Sequence, residues 1–391
     1  MPDTNAILNL PGLTIKTAYA DKAVFIEACC ELKMICPRCG SEKLRTKDSF
    51  IREVRHESIG MRQTILRLKA HKFVCKGCGL YFNERFPGIL KYQRATERLK
   101  EQVFIQHTQG LSQKDLSDNF KLGKATVERW YHQYYARKNQ LIKQRDCPKV
   151  LGIDEHSFTK KDGMITTLCD LRKHRVFDIV KGRSDAALAE YFEGLPGRDK
   201  VQVVCIDLSS SYRSLVKKYF PKAKIVADRF HVIRQINQAA MQVYQSLDKD
   251  IKHNRGTLAA LRTKPENLSS KRRAKRDECL NKNPAIAPIY HFKDELHRLL
   301  MIKHQTKREC KRLLPKFLQM VQELKASPFK YLQTLGNTLY SWREEIVRMW
   351  RFTKNNGITE GFHRKMKLIQ RRAYGFRNFE NYRLRVRVLC G

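Results

Sequence analysis

Three acidic side chains in the middle of the chain each follow a short apolar stretch. Asp154, Asp207 and Asp228 come directly after residues 150–153, 201–206 and 225–227, which are rich in Val and Ile. That composition predicts buried strands, and open α/β sheets place their chemistry at the carboxyl ends of such strands. A buried strand rarely ends on an acid unless the acid meets a metal, a base or solvent. The alternative for Asp207 and Asp228 is that each caps a helix.

The elements that would carry these acids follow a defined order between residues 149 and 240. Residues 150–153, 164–171 and 175–180 predict a three-stranded meander, and a helix at 186–192 comes next. A strand, a helix with apolar residues at helical spacing, a second strand and a further helix complete the series. This β-β-β-α-β-α-β-α order is that of the ribonuclease-H-like fold, in which the fourth strand lies beside the first. We therefore predict a mixed sheet with Asp154 and Asp207 on adjacent strands and Asp228 one strand farther out.

Carboxylates gathered at one sheet edge predict a divalent-metal site. Two cations about 3.5–4 Å apart can clamp the attacking and leaving oxygens of a phosphoryl displacement, and carboxylates suit Mg²⁺ or Mn²⁺. Neighbouring strands lie about 4.8 Å apart, so we expect Asp154 and Asp207 to share the site and Asp228 to be secondary. Glu360 follows a possible helix cap, Thr359, and is the third candidate ligand. Its alternative role is to stabilise the helix dipole from the first turn.

A second metal site is predicted near the N-terminus, where the motif CxxCG occurs twice. Cys36 and Cys39 precede Gly40, and Cys75 and Cys78 precede Gly79. Each motif brings two thiolates to one side of a tight turn, and glycine allows the backbone to curl there. Two such turns supply the four sulfurs of a closed structural zinc site, with strands or hairpins filling the long gap between them. The alternative is four unliganded core cysteines.

Residues 91–145 predict helices. Gly110 ends the first, Ser112 caps the second, and a short turn at 120–123 leads to the third. Two short helices joined by a glycine-bearing turn suggest a DNA-reading helix-turn-helix, although an ordinary helical hairpin has the same pattern. The residues we expect to contact DNA are Lys124, Thr126 and Arg129.

Residues 241–350 predict an α-helical insertion broken at five prolines, Pro265, Pro284, Pro288, Pro315 and Pro328. Two basic groups in the C-terminal half are candidates for phosphate contacts. The first is Arg272, Arg273 and Arg276; the second, on the helix after Thr359, is Arg364, Lys367 and Arg371. The alternative for the insertion's basic run is a solvated helix face.

The composition narrows the function further. The 391 residues include 78 Lys and Arg against 39 Asp and Glu, a net charge of +39, which argues for a polyanionic partner such as nucleic acid. No apolar run approaches the 18 residues of a membrane span, and the first residues lack a signal-peptide pattern. We therefore expect a cytoplasmic protein with no membrane contact, whose 12 cysteines are ligands or core residues rather than disulfides.

These features together resemble the DDE transposases of bacterial insertion sequences, and most closely the ISL-three family. The resemblance rests on the paired CxxCG motifs and on five further segments: GIDE at 152–155, CIDLS at 205–209, ADRFHV at 227–232, NGITEG at 356–361 and YGFRNF at 374–379. It implies a catalytic triad of Asp154, Asp207 and Glu360. Asp228 and His231 match a D-x-x-H signature of related transposases, although His231 could be a packed core histidine.

The resemblance implies a multidomain α/β chain and a bacterial, nucleoid-associated enzyme. Its parts would be a zinc ribbon (1–90), a helix-turn-helix domain (91–148), a ribonuclease-H-like core (149–240 and 351–391) and the insertion (241–350). Such an enzyme would bind the terminal inverted repeats of double-stranded DNA as a homodimer or larger assembly. It would cleave the ends in a metal-dependent reaction and transfer the strand to target DNA. The alternatives are a ribonuclease-H-like nuclease or resolvase, a non-catalytic zinc-ribbon/helix-turn-helix regulator, and an inactive copy.

Overall fold

The computed structural model describes residues 8–143, 145–159, 163–352 and 357–391, without the side chains of residues 143, 357, 358 and 360. The chain divides into two compact units. The first comprises residues 1–140 and 371–375, and the second comprises residues 141–370 and 376–391. None of the described helices combines the length and the hydropathy needed to cross a membrane.

The first unit is built on a five-stranded sheet in the order β1-β2-β4-β3, with β5 on the other edge of β4 over part of its length. The strands β1 and β2 form an antiparallel pair, and β3 and β4 form a long hairpin between the two CxxCG motifs, as predicted for that gap. Alternate apolar residues such as Val54, Leu66 and Leu68 are buried in one core. The strands are β1 (Leu13–Ala20), β2 (Val24–Cys30), β3 (Leu44–Ile59), β4 (Arg62–Cys75) and β5 (Tyr81–Asn83).

After the sheet, the described part of the chain continues in three helices: α1 (Glu97–Gln109), α2 (Gln113–Phe120) and α3 (Lys124–Lys143). Gly110 ends α1 in the left-handed conformation, with φ 111°, and Ser112 begins α2 through a capping box with Asp115. Both features confirm the sequence prediction, because helix ends are encoded by a few adjacent residues. The helices pack through apolar residues that are buried, Leu116, Phe120, Val127 and Trp130.

The second unit is built on a mixed sheet in the order β10-β9-β6-β7-β8. The strands β6, β7 and β8, which come first in the chain, pair antiparallel. The strand β9 runs parallel to β6, and β10 runs parallel to β9. The prediction that the fourth strand of this unit lies beside the first is therefore confirmed. The strands are β6 (Val150–Thr159), β7 (Gly163–Asp170), β8 (Arg175–Lys181), β9 (Val203–Ile206) and β10 (Lys224–Ala227).

Helices form most of the remaining second unit, including the stretch predicted as helical between residues 241 and 350. They are α4 (Asp185–Glu193), α5 (Ser210–Tyr219), α6 (Arg229–Leu247), α7 (Lys249–His253), α8 (Arg255–Arg262), α9 (Ser270–Lys282), α10 (Ile286–Met301), α11 (Lys307–Ala326), α12 (Lys330–Ser341), α13 (Arg343–Arg351), α14 (Gly357–Arg372) and α15 (Phe379–Cys390).

Two of the predicted helix breaks are wrong, since Pro288 and Pro315 lie inside helices. Pro288 stands in the first turn of α10, where a backbone N–H has no intrahelical partner to lose. Pro315 lies in the middle of α11, where it removes one hydrogen bond, but Phe317, Val321 and Leu324 are buried in the main core. Packing of that apolar face offsets the local cost of proline.

Both faces of the second sheet are covered. Leu151, Ile153, Val204 and Ile206 belong to the large core that includes buried residues of α4, α5 and α6. Cys205, which points the opposite way because side chains alternate along a strand, belongs to a separate core with Met366 of α14 and Tyr382 and Val386 of α15. The buried residues of β9 on both faces explain its continuous apolar sequence.

A buried ion pair joins α15 to β8. Arg383 donates to both carboxylate oxygens of Asp178, from Nε at 2.9 Å and from Nη2 at 2.7 Å, and the Tyr191 hydroxyl donates to the same carboxylate at 3.1 Å. Asp178 is 5% exposed. Such a bidentate pair fixes the orientation of both elements as well as their distance.

We expect Arg383→Ala to lower the free energy of unfolding of this unit by about 3 kcal/mol, because it leaves the Asp178 charge buried with Arg387 as the remaining cation, at 3.7 Å. Denaturant unfolding of the variant measures the loss. The control is Arg377→Ala, which removes an exposed arginine from the preceding loop. Equal stability of the two variants would show that the pair contributes nothing.

Candidate active site and zinc site

The strand register places the three aspartates in one row. The β6–β9 ladder ends at Gly152 and Cys205, and Asp154 and Asp207 each lie two residues beyond that pair. The β9–β10 ladder ends at Ile206 and Ala227, and Asp207 and Asp228 each lie one residue beyond it. Residues two apart on a strand share a face, so Asp154 and Asp207 lie on the face of Cys205. That is the face covered by α14 and α15.

The prediction that the first strand ends at Asp154 is wrong. The strand β6 continues to Thr159, because β7 pairs with it over that whole length. On its other side, however, its ladder with β9 stops at Gly152. Asp154 therefore lies on a paired strand with one edge open, which holds its backbone in place and still leaves room beside the carboxylate.

The environment of Asp154 and Asp207 disfavours their negative charges. Burial raises the pKa of Asp154 to about 6, and the charges of Asp228 and Asp207 add to this while His231 opposes it. Burial also raises the pKa of Asp207, with further contributions from Glu155 and Asp228. Asp207 Oδ1 is buried and has no hydrogen-bond partner among the described residues. A buried oxygen without a donor on a carboxylate facing another fits a hard divalent cation.

Helix capping, the alternative considered for two of the acids, applies to Asp228. Its carboxylate accepts from the N–H of Phe230 at 3.4 Å at the start of α6. For α5 the cap is Ser209 rather than Asp207. The Nε2 atom of His231 lies 3.6 Å from Asp228 Oδ2, and the His231 side chain is 25% exposed. His231 therefore faces the acids instead of being enclosed in a core.

A histidine that was not selected from the sequence as a site residue, His363, lies beside Asp154. The Nδ1 atom of His363, on α14, is 4.0 Å from Asp154 Oδ2, and its Nε2 atom is 3.2 Å from the hydroxyl of Thr167. Thr167 pairs with Asp154 across β6 and β7 and also contacts Nδ1 of His156 at 3.1 Å. The sequence contained one indication of this position: His363 comes one helical turn after Glu360, so both lie on the same face of the helix.

The position of Glu360 is known only for its backbone, which lies in α14; the side chain is outside the described residues. Thr359 was predicted as the helix cap, but α14 already begins at Gly357, so Thr359 lies inside its first turn and is fully buried. The helix therefore begins earlier than the capping pattern predicted.

Glu155 is a second residue that the sequence reasoning did not select. It follows Asp154 and therefore points to the opposite face of β6, where Arg183 Nη1 lies 3.5 Å from its Oε1 atom. Its Oε2 atom is buried without a hydrogen-bond partner among the described residues. Two consecutive acids after an apolar run were the available signal, but only the register shows which one lies in the row.

The four cysteines of the CxxCG motifs form one compact group. Their sulfur atoms lie within 4.8 Å of one another, with Cys36 and Cys78 separated by 3.6 Å and Cys39 and Cys75 by 3.5 Å. Four sulfurs at about 2.3 Å from a tetrahedral zinc ion stand about 3.8 Å apart, so the group fits one ion. It is the single group this compact among the described side chains, and the three aspartates are not drawn together as closely.

The two CxxCG turns have the same backbone geometry. Gly40 N–H donates to Cys36 O at 2.9 Å, and Gly79 N–H donates to Cys75 O at 3.0 Å. Both glycines are left-handed, with φ 72° and 71°, which explains why glycine follows each motif. Burial opposes ionisation of Cys36, but N–H groups of Cys39 and Arg38 donate to its sulfur and lower its pKa to about 6.

The side chains predicted to contact DNA differ in accessibility. Lys124 and Arg129 are exposed on α3 and Thr126 is half-buried. Arg364, Lys367 and Arg371 are exposed on α14, as are Arg272 and Arg273 on α9. Arg276 is half-buried, with Nη2 2.6 Å from Asp277 Oδ1, so part of its charge is already neutralised.

Comparison with known proteins assigns three regions of the chain to protein families. Residues 151–386 match the family of ISL3 transposase DDE domains, which is described as "Transposase". Residues 33–78 match the zinc-finger of transposase IS204/IS1001/IS1096/IS1165, and residues 84–135 match the helix-turn-helix domain of transposase family ISL3.

Individual transposases are also similar to the chain. The transposase for insertion sequence element IS1001 of Bordetella parapertussis is 28% identical over 370 residues, which is 91% of this chain and 88% of that protein. The transposase for insertion sequence element IS1557, from two strains of Mycobacterium tuberculosis, is 22% identical over 258 residues, or 58% of this chain and 57% of the relative. The protein belongs to the ISL3 family of transposases, and its zinc ribbon and helix-turn-helix are DNA-binding domains.

Proposed function

We propose that this transposase cleaves the ends of its element and joins them to target DNA at a two-metal site built on the aspartate row. The observation that carries the proposal is the Asp154–Asp207 pair. Both lie just beyond the ladder of adjacent parallel strands, both have pKa values raised by burial, and one Asp207 oxygen lacks a donor. Cations bound there would supply the positive charge that stabilises the developing charge on the attacking and leaving oxygens.

The residues in and around the aspartate row have different roles in this proposal. Asp154 and Asp207 hold Mg²⁺ or Mn²⁺, with Asp154 oriented by the N–H of Glu155, which donates to its Oδ1 at 2.8 Å. Asp228 is committed to capping α6 and is therefore an accessory residue, with His231 beside it. His363, on α14, lies beside Asp154, and its contact with the Thr167 hydroxyl holds the imidazole ring in that orientation.

Glu360 is the third ligand in this proposal. Positions three apart lie on one face of a helix, and position 360 is one turn before His363, whose ring is 4.0 Å from Asp154. The helix that supports Asp154 would thus also carry the third carboxylate. A site assembled from β6, β9 and α14 is completed only when the sheet and the helix are packed together.

The DNA-binding modules would select the element ends. In a helix-turn-helix the first residues of the second helix reach the base edges, and Lys124, Thr126 and Arg129 occupy that part of α3. One zinc ion, bound by Cys36, Cys39, Cys75 and Cys78, would hold the ribbon beside this helix pair. The terminal inverted repeats would be the sites read, and two copies of the protein would be needed to hold two ends together.

The experiment that tests this function supplies the purified protein with Mg²⁺, duplexes bearing the ends of its own element, and a target plasmid. Cleavage at the end followed by covalent joining to the plasmid is the expected result. Cleavage without joining would indicate a nuclease or resolvase. Binding to the ends with neither reaction, in both Mg²⁺ and Mn²⁺, would indicate a non-catalytic DNA-binding protein and overturn the proposal.

The basic cluster on α9 leads to a prediction about salt dependence. Replacing Arg272 and Arg273 with Ala should reduce the slope of log affinity against log salt by about 0.9 for each phosphate that is no longer neutralised. Adding Arg276→Ala should change the slope less, because that arginine is already paired with Asp277. Filter binding of end-bearing duplexes across a salt series measures the slopes.

The matched control replaces Arg308 and Lys311, two exposed cations on α11. If the control pair lowers the slope as much as Arg272 and Arg273 do, the protein uses its general positive charge. If neither pair changes the slope, the α9 cluster is a solvated helix face.

A further inference from the structure

A wide groove in the first unit is not used by the proposed chemistry. It lies between the strands β3, β4 and β5 and the segment at residues 84–94, and its volume is about 1320 Å³. Small-molecule pockets have volumes of about 300–1,000 Å³, so the groove is large enough for a ligand bigger than a single small molecule. Phe50, Tyr81 and Tyr92 line it with large aromatic surfaces, and Tyr92 is 80% exposed.

The charges of the groove are positive. Its two acidic residues are already paired, Glu53 with Arg67 at 2.9 Å and Glu84 with His71 at 2.8 Å. The cations Lys72, Arg85, Lys91 and Arg94 are exposed on its walls and form no ion pair with any described residue. A groove with committed acids and unpaired cations is complementary to a polyanion rather than to a neutral or cationic peptide.

Two tyrosines combine this charge with flat aromatic faces. The ammonium of Lys91 lies 4.7 Å from the centre of the Tyr92 ring, and that of Lys47 lies 4.8 Å from the centre of the Tyr81 ring. Side chains of this kind bind unpaired nucleotides, because bases stack on the rings while cations neutralise the phosphates. In a duplex the base faces are covered by neighbouring bases, so the tyrosines would add little there.

The groove is already formed in the protein. Arg52 Nη2, on β3, donates to Leu90 O at 3.3 Å and to Gln93 O at 2.7 Å, and Arg55 N–H donates to Arg94 O at 3.0 Å. These bonds hold the Tyr92 segment against the sheet. Tyr92 itself has φ 62°, a left-handed conformation that is unfavourable for a tyrosine. Such strain persists where the surrounding structure fixes it, often at binding sites.

We propose that this groove binds unpaired bases of DNA, with Tyr81 and Tyr92 as stacking platforms. Its two tyrosines lie outside the helices α1–α3 of the helix-turn-helix, which would bind duplex DNA. Strand cleavage at an element end leaves single strands that can separate, and the groove gives such a strand a place to bind. A role for the groove in the reaction rests on the proposed function. Binding of single strands is measured without catalysis, so the binding proposal and the proposed function can each fail independently of the other.

The test measures fluorescence anisotropy of full-length protein with two probes, a labelled oligothymidylate of about twelve nucleotides and a duplex of the same length. Tyr81→Ala and Tyr92→Ala should each weaken single-strand binding by about fivefold to a hundredfold, the range for removing one stacked base. Duplex binding should change less than twofold, and Tyr92→Phe should keep the wild-type affinities. Tyr331→Ala, an exposed tyrosine in the second unit, is the control.

Tyr92→Gly separates binding from folding. Glycine accepts φ 62° without strain, so the unfolding temperature should be unchanged or higher while single-strand affinity falls as in Tyr92→Ala. Equal losses for both probes would make the groove part of the duplex site and overturn the proposal. So would wild-type single-strand affinity in both alanine variants, or a loss of self-association, which would mark the groove as an interface between copies.

Discussion

Asp154→Asn and Asp207→Asn should each reduce Mg²⁺-dependent cleavage of an end-bearing duplex by about a thousandfold or more. Asn keeps the shape of the side chain but removes the charge that holds a cation, and a loss of about 4 kcal/mol of transition-state stabilisation corresponds to that factor. Glu360→Gln should match both. Binding of the duplex should survive in all three variants, because the DNA-binding modules belong to the first unit.

Asp228→Asn is the informative comparison within this set. The register places Asp228 two strand spacings from Asp154, roughly 9–10 Å, and its carboxylate is used as the cap of α6. We therefore expect partial activity, lowered by loss of the negative charge beside His231, because Asn is as good a helix cap as Asp. If Asp207→Asn still cleaves and Asp228→Asn does not, the second ligand is Asp228, and the assignment from strand adjacency is wrong.

Asp154→Asn should also stabilise the metal-free protein. The folded-state pKa of about 6 is above the ordinary 3.8, so ionised Asp154 destabilises the fold at pH 7, by about 1–3 kcal/mol. The penalty is present above pH 6 and disappears below about pH 4, where both states are protonated. Denaturant unfolding in chelator at pH 7 and pH 4 measures it. A variant that is more stable at pH 7 but inactive would show that the carboxylate is kept for cation binding.

The parts of the fold that the sequence predicted correctly are encoded locally. A CxxCG turn needs five consecutive residues, and the capping box of α2 needs Ser112 and Asp115 alone. The strand order also followed, because the order of strands and helices along the chain is that of the ribonuclease-H-like fold, in which the fourth strand lies beside the first. Each of these inferences depends on neighbours in the chain or on a connection rule, and not on a distant contact.

The parts that could not be predicted depend on distant contacts. One example is the choice between Asp154 and its neighbour Glu155 as the member of the acid row. It depends on where the β6–β9 ladder ends, because Asp154 lies two residues beyond Gly152 and so shares its face of the strand. Pro315 is tolerated because of the core that α11 packs into. His363 and Asp154 are neighbours in the fold although more than 200 residues separate them in the sequence. Propensity and periodicity carry no information about such pairings.

Loss of the zinc site should destabilise the first unit of the protein and leave the second unit folded. Cys75→Ser should reduce the zinc content, about one ion per chain in the wild type, and abolish end binding. The four sulfurs join the two ends of the β3–β4 hairpin, where Leu44 pairs with Cys75, and the binding energy of a structural zinc is comparable to the whole stability of a small domain. The second unit has hydrophobic cores of its own, so it should keep its cooperative unfolding transition.

Metal analysis and calorimetry of the purified variant distinguish these outcomes. Wild-type protein should show transitions for both units, and Cys75→Ser should lose the one that contains the ribbon. Cys30→Ser is the matched control, since this cysteine lies in the same unit at the end of β2 but outside the four-sulfur group; it should keep its zinc and its DNA binding. If Cys75→Ser retains a full zinc ion and both transitions, the four cysteines are core residues and the ribbon is held by its β-sheet alone.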